Sequence, residues 1–505
     1  MRKRLLNFAN QAVLWLSVLF MGFLSVVSLV STSYFTKDTS FAERPQYRID
    51  NILVNVLFLV VFLGILYVIN RKLDLEKIPV KILAAAAVLF VVGMSLLWVT
   101  VSHTYPEADQ KAVSWVAYLI TQGNFLFFEP GKYMQIYPNQ LGLTAILELL
   151  YRVTGGENWK VFMHLTAVAN GAVTYLLYKI TDKLFQKKRA TIIVLFAAMG
   201  CIQIILYTTF LYGIMLGLAL SLAAFLFLLY SLEEKNRGWK GLAFGLLSGV
   251  CIGAAILVKN NYSIFLVAMV ILLLYKAWEQ KKVQALATAI LIVLLSSLMG
   301  TALTGFYEER SGMEISSGMP KSLWIAMGMQ EGERAEGWYN AFNYDTFLET
   351  GCNIEESDRI AKEAIEESLQ KFKEDPAYAA DFYYKKAVSQ WNEPTYEALW
   401  VNQFHSGDFS KIVQSIYDGK LYVVMHEYMN LYQSLIFMSV LICLISRRKS
   451  WQLEQLFLLI VILGGFLFHT IWEAKSQYIF PYFVILLPFA AVGISELLER
   501  SNRRA

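Results

Sequence analysis

Apolar runs about as long as a bilayer is thick alternate along this chain with short polar segments rich in lysine and arginine. A helix that crosses the hydrocarbon core needs about 20 mainly apolar residues. By that measure the runs at 11–34, 51–70, 79–101, 161–180, 190–208, 212–231, 241–259, 262–278, 283–305, 430–446, 453–471 and 477–497 predict twelve spans. The pattern is that of an all-α polytopic membrane protein. Composition agrees: 56% of the 505 residues are apolar and 17% charged, against about 45–50% and about 25% in soluble chains. Such a chain buries too much apolar surface to be disordered.

The basic residues set an orientation, because short cytoplasmic segments collect Lys and Arg. With the N-terminus inside, Arg2–Lys3–Arg4, Arg71/Lys72/Lys77/Lys81, Lys179/Lys183/Lys187/Lys188/Arg189 and Arg500/Arg503/Arg504 all fall on the inner side. Both termini are therefore expected in the cytoplasm of a bacterial cell, with a multi-pass chain in its plasma membrane. The run at 11–34 is long for a cleaved signal peptide, and no small-x-small cleavage site follows it. A net charge of +4 without a basic stripe gives nucleic acid no footprint. Cys201, Cys251, Cys352 and Cys443 lack C-x-x-C spacing, so packing roles are expected instead of a disulfide framework.

Two outer segments exceed simple turns, and loops of such length are usually functional. The first, 102–160, carries aromatic, amphipathic pieces that read as interfacial helices, ending in an apolar stretch at 141–153 too short to span. The second, 306–429, holds 21 acidic and 11 basic residues between 307 and 420. Asn353 with Glu356 is a capping-box pattern, and Asp375-Pro376 reads as a helix stop. A small, mainly helical external domain is expected there. The chain thus divides into two additional N-terminal spans (1–78), a membrane core with its outer loop (79–305), the external domain (306–429) and the C-terminal spans (430–505). Gly241, Gly245, Gly249 and Gly253 recur every fourth residue, a spacing that lets helices approach closely; packing within one bundle is expected over dimerisation.

Candidate chemistry gathers where spans meet the outer surface. Glu107 and Asp109 directly follow the third span and are candidates for general-base work; ordinary solvated loop acids are the plainer alternative. Tyr137-Pro138-Asn139-Gln140 opens the short apolar run behind them. Lys259 joins two spans almost without a loop, and Glu473, Lys475 and Tyr478 lie between the last two. Charges at span ends are costly unless paired or hydrated. The two lysines either snorkel to headgroups or hold phosphate. In the external segment, Trp338 beside hydrogen-bonding groups suits sugar stacking, or else a satellite core. No P-loop, Rossmann glycine pattern or G-x-S-x-G occurs.

Through these residues the chain resembles the GT-C class of integral-membrane glycosyltransferases that use polyprenyl-phosphate-linked sugars, with protein O-mannosyltransferases and the aminoarabinose transferase of lipid A as relatives. The resemblance rests on Glu107/Asp109 after an early span, on Tyr137-Pro138-Asn139-Gln140, where the family often has a His/Tyr-Pro-Pro motif, and on Glu473, Lys475 and Tyr478 before the last span. It spans roughly 80–500. Asn139 stands where a second proline is usual, Glu-Ala-Asp replaces an Asp-Glu pair, and two spans precede the expected first one. The resemblance implies a hexosyl- or pentosyltransferase that moves sugar from a polyprenyl-phosphate donor to an envelope acceptor (cell-wall polymer, glycolipid or protein) on the outer face, with inversion. It implies Asp109 as base with Glu107 as its understudy. Lys259, Lys475 and Tyr478 would bind the donor phosphate, and Tyr137, Asn139, Gln140, Trp338 and Glu473 would contact substrate. It fixes no cofactor; a divalent ion on Asp109 and Glu107 stays open, without a third ligand in sight. A secondary transporter or lipid-linked-sugar flippase and a polysaccharide polymerase or ligase remain as alternatives.

Overall fold

The computed structural model describes residues 2–35, 43–72, 77–236, 238–280, 283–448 and 451–504. Among them, eleven helices are long and apolar enough to cross a membrane. A twelfth span arises if Lys188–Gly200 and Ile202–Thr209, bent by 49° at Cys201, count as one. The sequence pattern and the structure therefore agree on a multi-pass helical bundle. All four cysteines are free thiols.

Two span ends differ from the hydropathy reading. The first helix, Arg2–Val30, stops before residue 34, and Ser31–Phe35 pairs antiparallel with Pro45–Ile49 in a two-stranded ribbon. Hydroxyl-bearing residues drive that exit: Thr32 bonds to the Asp50 carboxylate, and the Ser33 amide donates to the Asn392 carbonyl at 3.2 Å. These partners satisfy the chain outside a helix. The predicted run 430–446 is the second half of a longer helix, Lys420–Ser446.

The glycine stripe faces a neighbour in the same chain. A Cβ at Gly249 would lie 2.7 Å from Leu295 Cδ1, and one at Gly253 would lie 2.7 Å from Met299 Sδ, both on helix Val283–Ser311. Close backbone approach supplies dispersion contacts where lipid gives no hydrophobic drive. Gly249→Leu is expected to destabilise the protein by about 1–3 kcal/mol through overpacking. A thermal unfolding midpoint in detergent equal to the wild type's would contradict this packing.

The short helix Leu141–Thr154 is fastened to the same neighbour by a buried carboxylate. Glu148 receives the Arg310 guanidinium through both oxygens at 3.0 and 2.7 Å, Arg152 Nε at 2.9 Å, and the Tyr307 hydroxyl. Enclosed pairs cost about 3–5 kcal/mol to break, and partial exposure of both arginines brings Glu148→Ala to about 2–3 kcal/mol. Thermal unfolding of Glu148→Ala beside Arg310→Ala checks this; full additivity of the two losses would mean that the pair is not coupled.

Segment 306–429 is largely helical, as its caps suggest. Asn353 Oδ1 accepts from the Glu356 amide and starts Ile354–Glu374; Asp375 then accepts from Tyr378 and starts Pro376–Trp391. Trp391 ends this helix inside the bundle, stacked on Tyr482 at 5.7 Å and edge-on to Phe20 at 4.9 Å. Aromatic area buried in this way anchors segment 306–429 against the membrane helices. The anchoring fixes one wall of the site.

Candidate active site

Several spans end together beside segment 306–429, around a cavity of about 560 Å³. Of the residues singled out in the sequence, Asp109, Tyr137, Asn139, Gln140, Lys259, Glu473, Lys475 and Tyr478 all line it.

Asp109 opens helix Asp109–Thr121, where a carboxylate is favoured by the helix dipole. The preceding Ala108 takes φ 50°, ψ −130°, a conformation that costs an alanine about 1–3 kcal/mol. That turn leaves Asp109 exposed to the cavity. Its oxygens accept from two phenols, Tyr133 at 3.4 Å and Tyr212 at 3.2 Å. Gln140 Nε2 donates to the Tyr212 hydroxyl at 2.8 Å, which directs the phenol proton to Asp109. One residue on, Gln110 Oε1 accepts from the Leu211 amide at 2.9 Å and fixes the loop carrying Tyr212. Burial, with the Asp109 charge adding to it, holds both phenols well above the usual tyrosine range, so both remain donors.

Lys259 occupies the break between helices Trp239–Val258 and Ser263–Gln280, outside both spans. Lys-Asn-Asn interrupts two apolar runs, and a single turn, Asn260–Tyr262, bridges them. The Tyr262 hydroxyl clamps that turn onto the Ile214 carbonyl. The ammonium of Lys259 lies 3.9 Å from the Tyr212 ring centroid and 5.3 Å from that of Tyr478, a cation–π setting. Among the described residues it makes no ion pair. Burial pushes this ammonium down to about 7, Lys475 adds to the effect, and Asp109, Glu473 and Glu397 oppose it. A cation that is short of an anion is ready to take one.

Lys475 is differently placed. Its ammonium is bonded to both oxygens of buried Glu43 at 3.2 and 3.1 Å, and Arg334 binds the same carboxylate at 2.6 Å. Burial opposes the charge on Lys475, but Glu43, Glu473 and Glu397 outweigh it and hold the ammonium above the usual lysine range. Tyr478 donates to Glu473 at 3.1 Å. Burial raises the Glu473 carboxyl, with Lys475 opposing.

Two predicted residues lie elsewhere. Glu107 does not line the cavity and bonds to Lys111, one helical turn on, at 3.1 Å. Trp338 is fully buried, donates to Ser389 at 2.9 Å and meets the ring of Phe35. The Ala474 amide bonds to the Gly337 carbonyl at 2.8 Å, a pairing that holds Trp338 inward while Tyr339 lines the cavity. Trp338 is a packing residue, and the sugar-stacking expectation for it is corrected. With Glu107 turned away, the hydrogen-bond partners of Asp109 among the described residues are two phenols. No group of three or more His, Cys, Asp or Glu able to hold a metal occurs among the described residues. The sequence reading missed Glu43, Tyr212 and Arg334, all distant in sequence from the motifs they serve, and Tyr133, four residues before Tyr137.

Residues 138–299 match the dolichyl-phosphate-mannose-protein mannosyltransferase family. The match begins at the Tyr-Pro segment and includes Tyr212 and Lys259; Asp109 and the loop from Glu473 to Tyr478 lie outside it. No curated protein matches the chain. Among solved structures, the fold is similar to the archaeal oligosaccharyltransferase AglB from Archaeoglobus fulgidus, in complex with an inhibitory peptide and a dolichol-phosphate (13% identity, TM-score 0.46, covering 84% of this chain and 51% of that one). It is also similar to ArnT from Cupriavidus metallidurans bound to undecaprenyl phosphate (11% identity, TM-score 0.36, covering 82% and 77%). The chain spans about half the length of the archaeal enzyme.

Proposed function

We propose that this protein is a GT-C-type glycosyltransferase that transfers a sugar from a polyprenyl-phosphate donor to an acceptor hydroxyl on the outer face of a bacterial plasma membrane. The observation that carries the proposal is the sharing of one cavity by Asp109, an exposed carboxylate, and Lys259, a cation without an ion pair among the described residues. The mannosyltransferase family match over 138–299 supports the class. The N-terminal segment 1–78 adds Glu43 to a core at 79–305, and the external domain 306–429 and C-terminal spans 430–505 close the cavity.

In this reading the Asp109 carboxylate takes the proton of the acceptor hydroxyl. The freed oxygen bonds to the anomeric carbon from one face while the carbon–oxygen bond to phosphate breaks on the other, so configuration inverts. The bonding pair leaves with the phosphate oxygen, and Lys259 offsets the charge that builds there. Its low-dielectric setting between two rings strengthens that interaction. Lys475, already neutralised by Glu43, acts at longer range and orients the loop carrying Glu473. No step is routed through a metal.

The test is retention of the lipid product. Purified protein is incubated with undecaprenyl phosphate and its occupancy read by native mass spectrometry. Wild type and Asp109→Asn are expected to retain the lipid, and Lys259→Gln to lose it. Equal occupancy in all three would remove Lys259 from the phosphate site.

A further inference from the structure

The cavity has a second cation without an ion pair. Lys321, at the start of helix Lys321–Gly328 in the external segment, is exposed, lines the cavity, and makes no hydrogen bond or ion pair among the described residues. Trp324 follows at the i+3 position, on the same helix face, and also lines the cavity. Its ring lies parallel to that of Trp472, 5.9 Å away with 10° between planes, and Tyr137 approaches it at 6.4 Å. Both tryptophans are only half-buried, so the stack keeps a face available. Asn139, another lining residue, makes no side-chain hydrogen bond among the described residues.

These groups divide into two chemistries. A flat aromatic surface beside an unused amide suits the C–H face and hydroxyls of a sugar ring, and large aromatics supply most of the affinity in such pockets. A lone ammonium at the rim suits phosphate or carboxylate as a point charge. The donor phosphate is already provided for by Lys259, on the membrane side of the cavity, whereas Lys321 belongs to the external segment. Trp324 is bracketed by Trp472 and Tyr137, which places the platform between the external segment and the residues flanking Asp109 and Glu473.

We infer that the acceptor is an anionic saccharide: its ring stacks on Trp324, its phosphate or carboxylate is held by Lys321, and its hydroxyl is presented to Asp109. The inference rests on the proposed transferase reading and names its acceptor class. A neutral glycan would leave Lys321 without a partner, and a peptide would not need the stack.

The full-length protein in detergent is titrated with methyl glucoside 6-phosphate, methyl glucuronide and uncharged methyl glucoside, with tryptophan emission as the readout. The charged sugars are expected to bind about tenfold or more tightly than the neutral one. Lys321→Gln removes that preference and leaves the neutral sugar's affinity unchanged, Lys321→Arg restores it, and Trp324→Ala weakens all three. Lys259→Gln leaves the preference intact while losing undecaprenyl phosphate. Equal affinity for charged and neutral sugars, or a preference that survives Lys321→Gln and vanishes in Lys259→Gln, overturns the inference. Loss of undecaprenyl phosphate binding in the wild type would instead overturn the transferase reading.

Discussion

Asp109→Asn is expected to lower the rate of sugar transfer about 10³-fold, within the range by which a positioned general base accelerates a reaction. The substitution preserves shape, and one of the two phenols, which donate to different carboxylate oxygens, keeps the amide oxygen as its acceptor, so the fold and donor binding should survive. The loss should therefore fall on kcat while KM for the donor stays close to the wild type's. Release of polyprenyl phosphate from a labelled donor measures it. Activity within tenfold of the wild type's would exclude Asp109 as the base. Glu107→Gln is the natural companion: its carboxylate serves Lys111 outside the cavity, and transfer should be nearly unchanged.

Lys259→Gln should cost about 10²–10³-fold in kcat/KM, the magnitude associated with one electrostatic stabiliser at a centre of developing charge. Here pH carries further information. Burial pushes the free ammonium down to about 7, and only the protonated form attracts phosphate. As pH rises through that value in the free protein, the charge is lost and kcat/KM should fall. Lys259→Arg should keep its charge throughout, because guanidinium does not titrate in this range, and so move the alkaline limb upward even if geometry lowers the plateau. An alkaline limb that is the same in wild type and Lys259→Arg would assign the titration to another group.

The span pattern was legible because the bilayer imposes a length on every apolar run, and Asp109 and Lys259 were legible because charge at a span end is costly and therefore conspicuous. The break at Cys201 was not, since the run 190–208 is mainly apolar and only tertiary contacts reveal the 49° bend. Glu43 was also hidden. It pairs with Lys475 across 432 positions, and no local pattern marks an acid in a short connection as the partner of a lysine near the opposite end of the chain. Trp338 failed for a geometric reason: one residue decides which side of a paired segment a ring occupies, and its neighbour Tyr339 has the cavity side. The caps of segment 306–429 were readable from Asn353 and Asp375, whereas its docking through Trp391 depends on rings drawn from three distant parts of the chain.

The most direct measurement is a structure of the full-length protein with undecaprenyl phosphate bound in a lipid nanodisc. The account predicts phosphate density within hydrogen-bonding reach of Lys259 Nζ, about 3 Å, with Asp109 facing the phosphate across the cavity. Phosphate bound instead in the pocket at the other end of the bundle, lined by Lys81, Tyr178 and Lys188, with the cavity at Asp109 empty, would contradict it.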